Sequence, residues 1–213
     1  RWWREGPLAM RLFNRQIILL GILAGLLGGC ATNDVQTPPP MPPLTPSRAT
    51  VPNEPWLLVD TKADNLMVMR GQQPVRVFHQ VALGSSGAGL KFRRGDNKTP
   101  LGVFRVGWIN DHSRFKKFIG LDFPNLDYAE QALREHRIDR LTYERIRAAW
   151  ISGRTPPQDT PLGGQIGIHG VGFGDPNVHS AGINWTSGCV ALDNGQIDAL
   201  RPWVRVGMRV EIR

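Results

Sequence analysis

The sequence predicts a mainly β domain that carries a helical insertion and one further helix near its C-terminal end. Three observations lead there. Short apolar runs at 57–60, 66–69, 75–83, 103–108, 165–169 and 208–212 are separated by clusters of Gly, Pro, Asn and Asp, the pattern of strands between turns. Helical spacing is confined to one internal region, where Tyr143, Ile146 and Trp150 fall at i, i+3 and i+7. Finally, Asp193 stands three residues before Gln196, a capping-box pair that starts a helix expected to run to Trp203.

Ahead of that domain the chain divides differently. Residues 1–29 read as an extension before Met10 followed by a signal peptide: Arg11 and Arg15 precede an apolar core over 17–27. That core is too short to cross a bilayer about 30 Å thick as a permanent helix. Leu27, Gly28 and Gly29 before Cys30 resemble a bacterial lipoprotein processing site. The resemblance implies cleavage before Cys30, lipid on its thiol and export to the cell envelope. The protein would then face the periplasm, held at the outer membrane if the host has one. An uncleaved anchor is the alternative. Several acyl chains, at about 0.8 kcal/mol per buried CH₂, would make such attachment stable where one chain would not. Residues 30–54 form a tether whose prolines at 38–40 and 42–43 resist packing and favour extension, at roughly 3 Å per residue. The folded domain is expected over 55–213.

Composition narrows the function classes. With 41% hydrophobic and 21% charged residues, the chain is ordinary globular protein. The net charge of +8 is uneven, because four arginines against Glu5 lie within the first 29 residues. The remainder shows no stripe of basic residues interleaved with aromatics, so nucleic acid is not an expected partner. There are two cysteines. If Cys30 is acylated, Cys189 has no disulfide partner and remains a free thiol in an oxidising compartment.

Within the domain, 57–60 and 66–69 flank a polar turn at 62–65 and read as a hairpin. A turn at 71–73 leads to the run at 75–83. Residues 84–95 form a Gly- and Ser-rich loop with Lys91, Arg93 and Arg94, but the lysine lacks P-loop spacing and no helix is predicted to follow. Pro100 makes a turn that delivers the strand 103–108. From Phe115 the strand pattern gives way, and Phe123-Pro124-Asn125 breaks the chain. Helices are predicted over 128–136 and 141–152, the second stopped by Gly153 and then Pro156-Pro157. Residues 160–164 return the chain to the strand 165–169, and 208–212 closes it.

The chemistry concentrates in 165–194. The strand there ends at His169, a loop rich in Gly, Asn, Asp and Pro follows, and the chain enters Trp185-Thr186-Ser187-Gly188-Cys189. A thiol is a poor nucleophile while protonated, and a histidine alongside corrects this by taking the proton and returning it to a leaving amine. Gly188 permits a tight turn, so the N–H groups of Ser187, Gly188 and Cys189 are candidate oxyanion donors. His179 is a second candidate base, disfavoured because its segment shows no regular structure to hold it. A zinc site from His169, His179 and Cys189 lacks any closely spaced ligand pair.

At these residues the sequence resembles the L,D-transpeptidases of the YkuD type. His169-Gly170, a loop, and Thr186-Ser187-Gly188-Cys189-Val190-Ala191-Leu192 are similar to that family's His-Gly…Ser/Thr-His-Gly-Cys signature. Thr99-Pro100-Leu101-Gly102-Val103-Phe104 resembles its Thr-Pro-x-Gly-x-Phe segment, and the opening strands also fit. Ser187 departs from the commoner histidine, as in a branch with Trp-Thr-x-Gly-Cys-x-Ala-Leu. The resemblance implies a β-sandwich-like catalytic domain without a cofactor. Cys189 would be the acylated nucleophile, His169 its base, and the Gly170 carbonyl the group orienting the imidazole. It also implies acyl transfer on peptidoglycan stem peptides, in cell-wall organisation and cell shape. The product would be a cross-link, or a wall attachment with a lipoprotein as acceptor or substrate. A hydrolase opening the same acyl-enzyme with water, and a non-catalytic wall-binding lipoprotein, stand as alternatives. An ordinary imidazole would place the acidic limb of the acylation rate near pH 6–7.

Overall fold

The computed structural model of the chain describes residues 54–213. The signal-like segment, Cys30 and the tether lie outside them. Strands β1 (Pro55–Asp60) and β2 (Asn65–Arg70) pair antiparallel, with Leu57 opposite Val68 and Val59 opposite Leu66. Their turn forms because the Asp60 carboxylate accepts the N–H groups of Lys62 and Ala63, while Asp64 takes a left-handed conformation. β3 (Gln73–His79) adds antiparallel to β2. It is shorter than the run at 75–83, because Gln80 takes a φ of 58° and turns the chain away.

The Gly-rich loop holds a two-residue strand, β4 (Ala88–Gly89), parallel to β5 (Thr99–Pro100). β6 (Gly102–Ser113) is twice as long as predicted, and this length organises the domain. Its first residues pair with β10 (Arg209–Ile212), its later ones with β7 (Lys116–Leu121). β7 is a strand the sequence did not announce. Its residues 118–121 are all buried, so no polar alternation marks it.

Helices α1 (Leu126–Arg134) and α2 (Arg140–Ile151) are the predicted insertion, capped by Asn125 and Asp139. α1 docks through Tyr128, whose hydroxyl donates to the Leu101 carbonyl and whose ring packs edge-on against Phe123. In α2, Tyr143 and Ile146 are buried as predicted, and Ala149 is buried beside a Trp150 that is only partly so. Next come β8 (Gly167–Gly170), a short helix α3 (Pro176–Ser180) and β9 (Val190–Leu192). α4 (Asn194–Leu200) follows, then a 3-10 turn through Trp203, and the Asp193–Gln196 capping box is formed in both directions.

The sheet order is β3-β2-β1-β10-β6-β7-β8-β9. β10 lies centrally, parallel to β1 and antiparallel to β6. The two ends of this order meet: Ala82, three residues beyond β3, exchanges both backbone hydrogen bonds with Ala191 of β9. One apolar core, including Leu57, Leu66, Phe104, Ile119, Leu121, Ile168, Leu192 and Ile197, fills the space between. The fold is the mainly β architecture expected, with the insertion helices and α4 as read and the short helix α3 in addition.

Across β6, β7 and β8 runs a row in register, Trp108–Gly120–Gly167. The two glycines leave a trough for aromatic rings, and a Cβ added at Gly120 would lie 2.1 Å from the Trp108 ring. Gly120→Ala is therefore expected to displace Trp108 and destabilise the domain by about 1–3 kcal/mol. Chemical denaturation tests this, and an unchanged midpoint would contradict the packing.

Candidate active site

β8 and β9 are parallel neighbours, with Ile168 opposite Val190 and His169 opposite Ala191. Cys189, one residue before β9, thus stands beside Gly167. Because side chains alternate with a period of two, Cys189 and His169 project from the same face. Strand spacing and rise place their Cα atoms about 8 Å apart, a diagonal pair on adjacent strands. The register therefore sets the two residues on one face of adjacent strands.

His169 is 2% exposed and held on several sides. Its Nδ1 lies 2.7 Å from the carbonyl oxygen of Gly170. A carbonyl can only accept, so Nδ1 carries the proton and Nε2 is left with the lone pair. Phe115 stacks on the imidazole at 4.3 Å between ring centroids, Phe118 at 5.9 Å, and Trp185 meets it edge-on at 5.7 Å. Phe118 in turn stacks on Trp108, so a file of rings crosses β6, β7 and β8 to the histidine. Phe115 and Phe118 went unread in the sequence because they belong to the unannounced β6–β7 hairpin. Burial pushes the His169 pKa down to about 4; its bond to Gly170 opposes this, while the charges of Arg114 and His179 add to it.

Cys189 is partly exposed, and burial around its sulfur pushes the thiol up to about 11, against smaller opposing effects from the Gly167 amide and the Lys91 charge. Its Sγ–H donates to the Gln165 carbonyl at 3.4 Å. Thiol and imidazole are thus both neutral across the physiological range. The turn before the thiol is pinned by Thr186: its hydroxyl donates to the Cys189 carbonyl at 2.7 Å and accepts the Gly188 N–H at 3.1 Å. This corrects the expected donor set, because the Gly188 N–H is already engaged, leaving those of Ser187 and Cys189 as the candidates. Gly188 itself is required by its φ of 130°. Thr99 is buried, accepts the Gly84 N–H and donates to the Cys189 carbonyl at 3.4 Å. The Thr-Pro segment, read only as a strand-delivering turn, therefore also braces the thiol's backbone.

His179 does not occupy an irregular segment. It lies in α3, capped by Asp175, and is buried with its Nδ1 unpartnered. Among the described residues no three His, Cys, Asp or Glu side chains group as a metal site, so the zinc set is not assembled.

With this geometry in view, residues 54–212 match the L,D-transpeptidase catalytic domain, YkuD. The chain belongs to this family. No curated protein matches it. Among solved structures it is similar to the helical cell shape determining protein Pgp2 from Campylobacter jejuni, with 19% identity and a TM-score of 0.47 over 75% of this chain and 48% of that one. Bd1075 from Bdellovibrio bacteriovorus gives 17% identity and a TM-score of 0.48, over 76% of this chain and 48% of that one. An L,D-transpeptidase from Xylanimonas cellulosilytica gives 16% and 0.42, over 80% and 65%. The chain spans about half the length of the first two. At such scores the assignment rests on the domain match.

The histidine's environment makes a prediction. The acidic limb of Cys189 acylation is expected near pH 4, well below the 6–7 of an ordinary imidazole. Phe115→Ala opens one face of the ring to water, which favours the imidazolium and moves the limb upward toward 6.5. Rates of adduct formation with a reactive acyl donor between pH 3.5 and 9 read this directly. A limb unmoved by Phe115→Ala would show that the stacking does not set the titration.

Proposed function

We propose that the protein is a cysteine acyltransferase acting on peptidoglycan stem peptides. The observation that carries this reading is the pairing of β8 with β9, which sets Cys189 and His169 on one face, with the imidazole's Nδ1–H committed to Gly170. Nε2 is then the proton acceptor for the thiol. Cys189 Sγ attacks the carbonyl of the third stem residue, a diamino acid, as its proton passes to Nε2. The developing oxyanion is met by the N–H groups of Ser187 and Cys189. Collapse breaks the amide bond, His169 returns the proton to the leaving amine, and terminal D-alanine departs. The acyl group remains as a thioester on Cys189. An acceptor amine, deprotonated by His169, attacks that thioester and regenerates the thiol.

Water in place of the amine would give hydrolysis by the same machinery. Incubation with purified stem tetrapeptides, with and without an amine acceptor, separates the two by product mass. A new amide joining donor and acceptor supports transfer. Tripeptide alone, with acceptor present, would make the enzyme a carboxypeptidase.

Variants test the residue roles. Cys189→Ala is expected to abolish product and leave the fold intact, and Cys189→Ser to be nearly as inactive. His169→Ala should slow acylation by about 10²–10⁴-fold. His179→Ala should cost about tenfold or less, since its Nδ1 lacks the carbonyl partner that orients His169. Full turnover by Cys189→Ala, or a larger loss in His179→Ala than in His169→Ala, would overturn the assignment.

The proposed setting is the bacterial envelope, the domain over 55–213 reaching the wall on the tether 30–54 from lipid on Cys30. Replacement Cys30→Ser is expected to move the protein from the membrane to the soluble fraction. Membrane retention with an uncleaved N-terminal segment would instead indicate a plain anchor.

A further inference from the structure

The Gly-rich loop at 84–95 has no part in the mechanism above, yet it contributes one of the largest fully buried side chains of the domain, a lysine. Lys91 is 2% exposed. An ammonium so far from water is stable only if its charge is matched, and Asp96 supplies the match through an ion pair. The Asp96 carboxylate is itself fixed by the N–H groups of Phe92, Arg93 and Lys98. Lys91 Nζ also approaches the carbonyl of Lys98 at 3.4 Å. The loop thus folds around this pair.

The position of the ammonium is more informative than its burial. A Cβ added at Gly188 would stand 3.5 Å from Lys91 Nζ and 2.7 Å from the Lys98 carbonyl oxygen. The ammonium is therefore packed against the residue immediately before the thiol. A Cβ at Gly163 would meet the Lys91 Cε at 3.3 Å, which fixes the side chain along its length. An apolar residue would fill this volume without needing Asp96 or its three backbone partners. A cation built into the packing at this point acts electrostatically on the turn beside it.

We infer that Lys91 is a positioning residue for the nucleophile: its buried ammonium, held by Asp96, stands behind the Gly188–Cys189 turn and stabilises negative charge as it develops at Cys189. The inference rests on the reading of Cys189 as the acylated residue. During attack the sulfur gives up its proton to His169 before the new bond has absorbed the charge. A fixed cation near the turn lowers that stage without contacting substrate. Asp96 tunes the effect, since it neutralises part of the same charge. The other charged or titratable groups around Lys91 are Arg93, Arg94 and Lys98 on its own loop, Tyr128 on α1, and Arg137 after α1. Cys189 lies near enough for the Lys91 charge to act on its thiol.

The test reads the thiol itself, independently of transpeptidase turnover. The full chain is treated with iodoacetamide between pH 6 and 11.5, and the adduct on the Cys189 peptide is quantified by mass, which keeps Cys30 out of the measurement. Lys91→Met should raise the midpoint of alkylation by about one pH unit, read within this range as a parallel displacement of the rising limb and at pH 8 as a reaction about tenfold slower. Lys91→Arg, which keeps the charge, should recover most of the wild-type rate. Asp96→Asn should move the midpoint the opposite way, downward. A purely structural role for the pair predicts shifts of the same sign in Lys91→Met and Asp96→Asn, and that result would overturn the inference, as would an unmoved midpoint in Lys91→Met. Should Lys91→Met fail to fold, the direction of the Asp96→Asn shift decides alone. Failure of the acyltransferase reading looks different: these shifts would persist while Cys189→Ala retained full product formation.

Discussion

The domain depends on the parallel pairing of β8 with β9. Antiparallel strands can be joined by a turn of two residues, but parallel ones need a crossover of a dozen or more. The interval between His169 and Cys189, about 20 residues, is the length of that crossover together with the turn before the thiol. The spacing of the motif is thus a consequence of strand direction. The pairing also fixes which residues share a face, because a slip of one position would send one of the two side chains to the other side of the sheet. The surrounding structure supports this single register. β7 covers the other edge of β8, Ala82 is bonded to Ala191 in β9, and Thr99 and Thr186 both hold the Cys189 carbonyl.

From the same arrangement comes the resting state of the site. Rings at 115, 118 and 185 keep water from His169, and packing around Cys189 keeps it from the sulfur. With one group near pH 4 and the other near 11, transferring the proton in the absence of substrate would cost roughly 10 kcal/mol. Mutual attraction of the resulting charges would return about 4 kcal/mol even if they stood about 4 Å apart at an effective dielectric of 20. The neutral pair therefore wins by a clear margin. A thiol kept protonated, donating to Gln165, is protected from the oxidation that a standing thiolate would invite. In the proposed reaction its activation would coincide with attack, which is when donors aimed at the new oxyanion and a fixed nearby cation have most effect.

How far the sequence discloses this varies with the range of the determining contacts. The β1–β2 hairpin, the capping box of α4 and the strand ending at His169 are legible because local residues decide them: Asp60 and Asp64 in the turn, Asp193 and Gln196 at the cap. β7 and β9 are not. Residues 118–121 of β7 and all of β9 are buried, so alternation is lost, and β9 has only three residues. The central place of β10 is hidden for another reason. Its neighbours, β1 and β6, lie about 100 residues or more away, and no local signal encodes them. At the site, the proposed nucleophile and base could be picked out from residue type and spacing. The rings around the base, the engagement of the Gly188 N–H by Thr186 and the burial of Lys91 could not, because each arises where separate segments meet.

The crossover itself holds an imbalance of polar groups beside the site. Of the buried side-chain polar atoms left without a partner among the described residues, His179 Nδ1 and Trp185 Nε1 both fall between His169 and Cys189. Each such atom costs about 1–3 kcal/mol relative to a satisfied one. The strands on either side carry no such deficit, since their backbone groups are paired across the sheet. Any rearrangement that gave these two atoms partners would therefore be favoured by the crossover while the β8–β9 register stayed fixed. Phe173 and Ile183, in the same segment, are exposed large apolar residues, so the segment also gains from being covered. An extended ligand lying over this face could supply both remedies, polar partners for the nitrogens and cover for the apolar side chains. The β8–β9 backbone pairs involve neither nitrogen, so the register is independent of how these two atoms are satisfied.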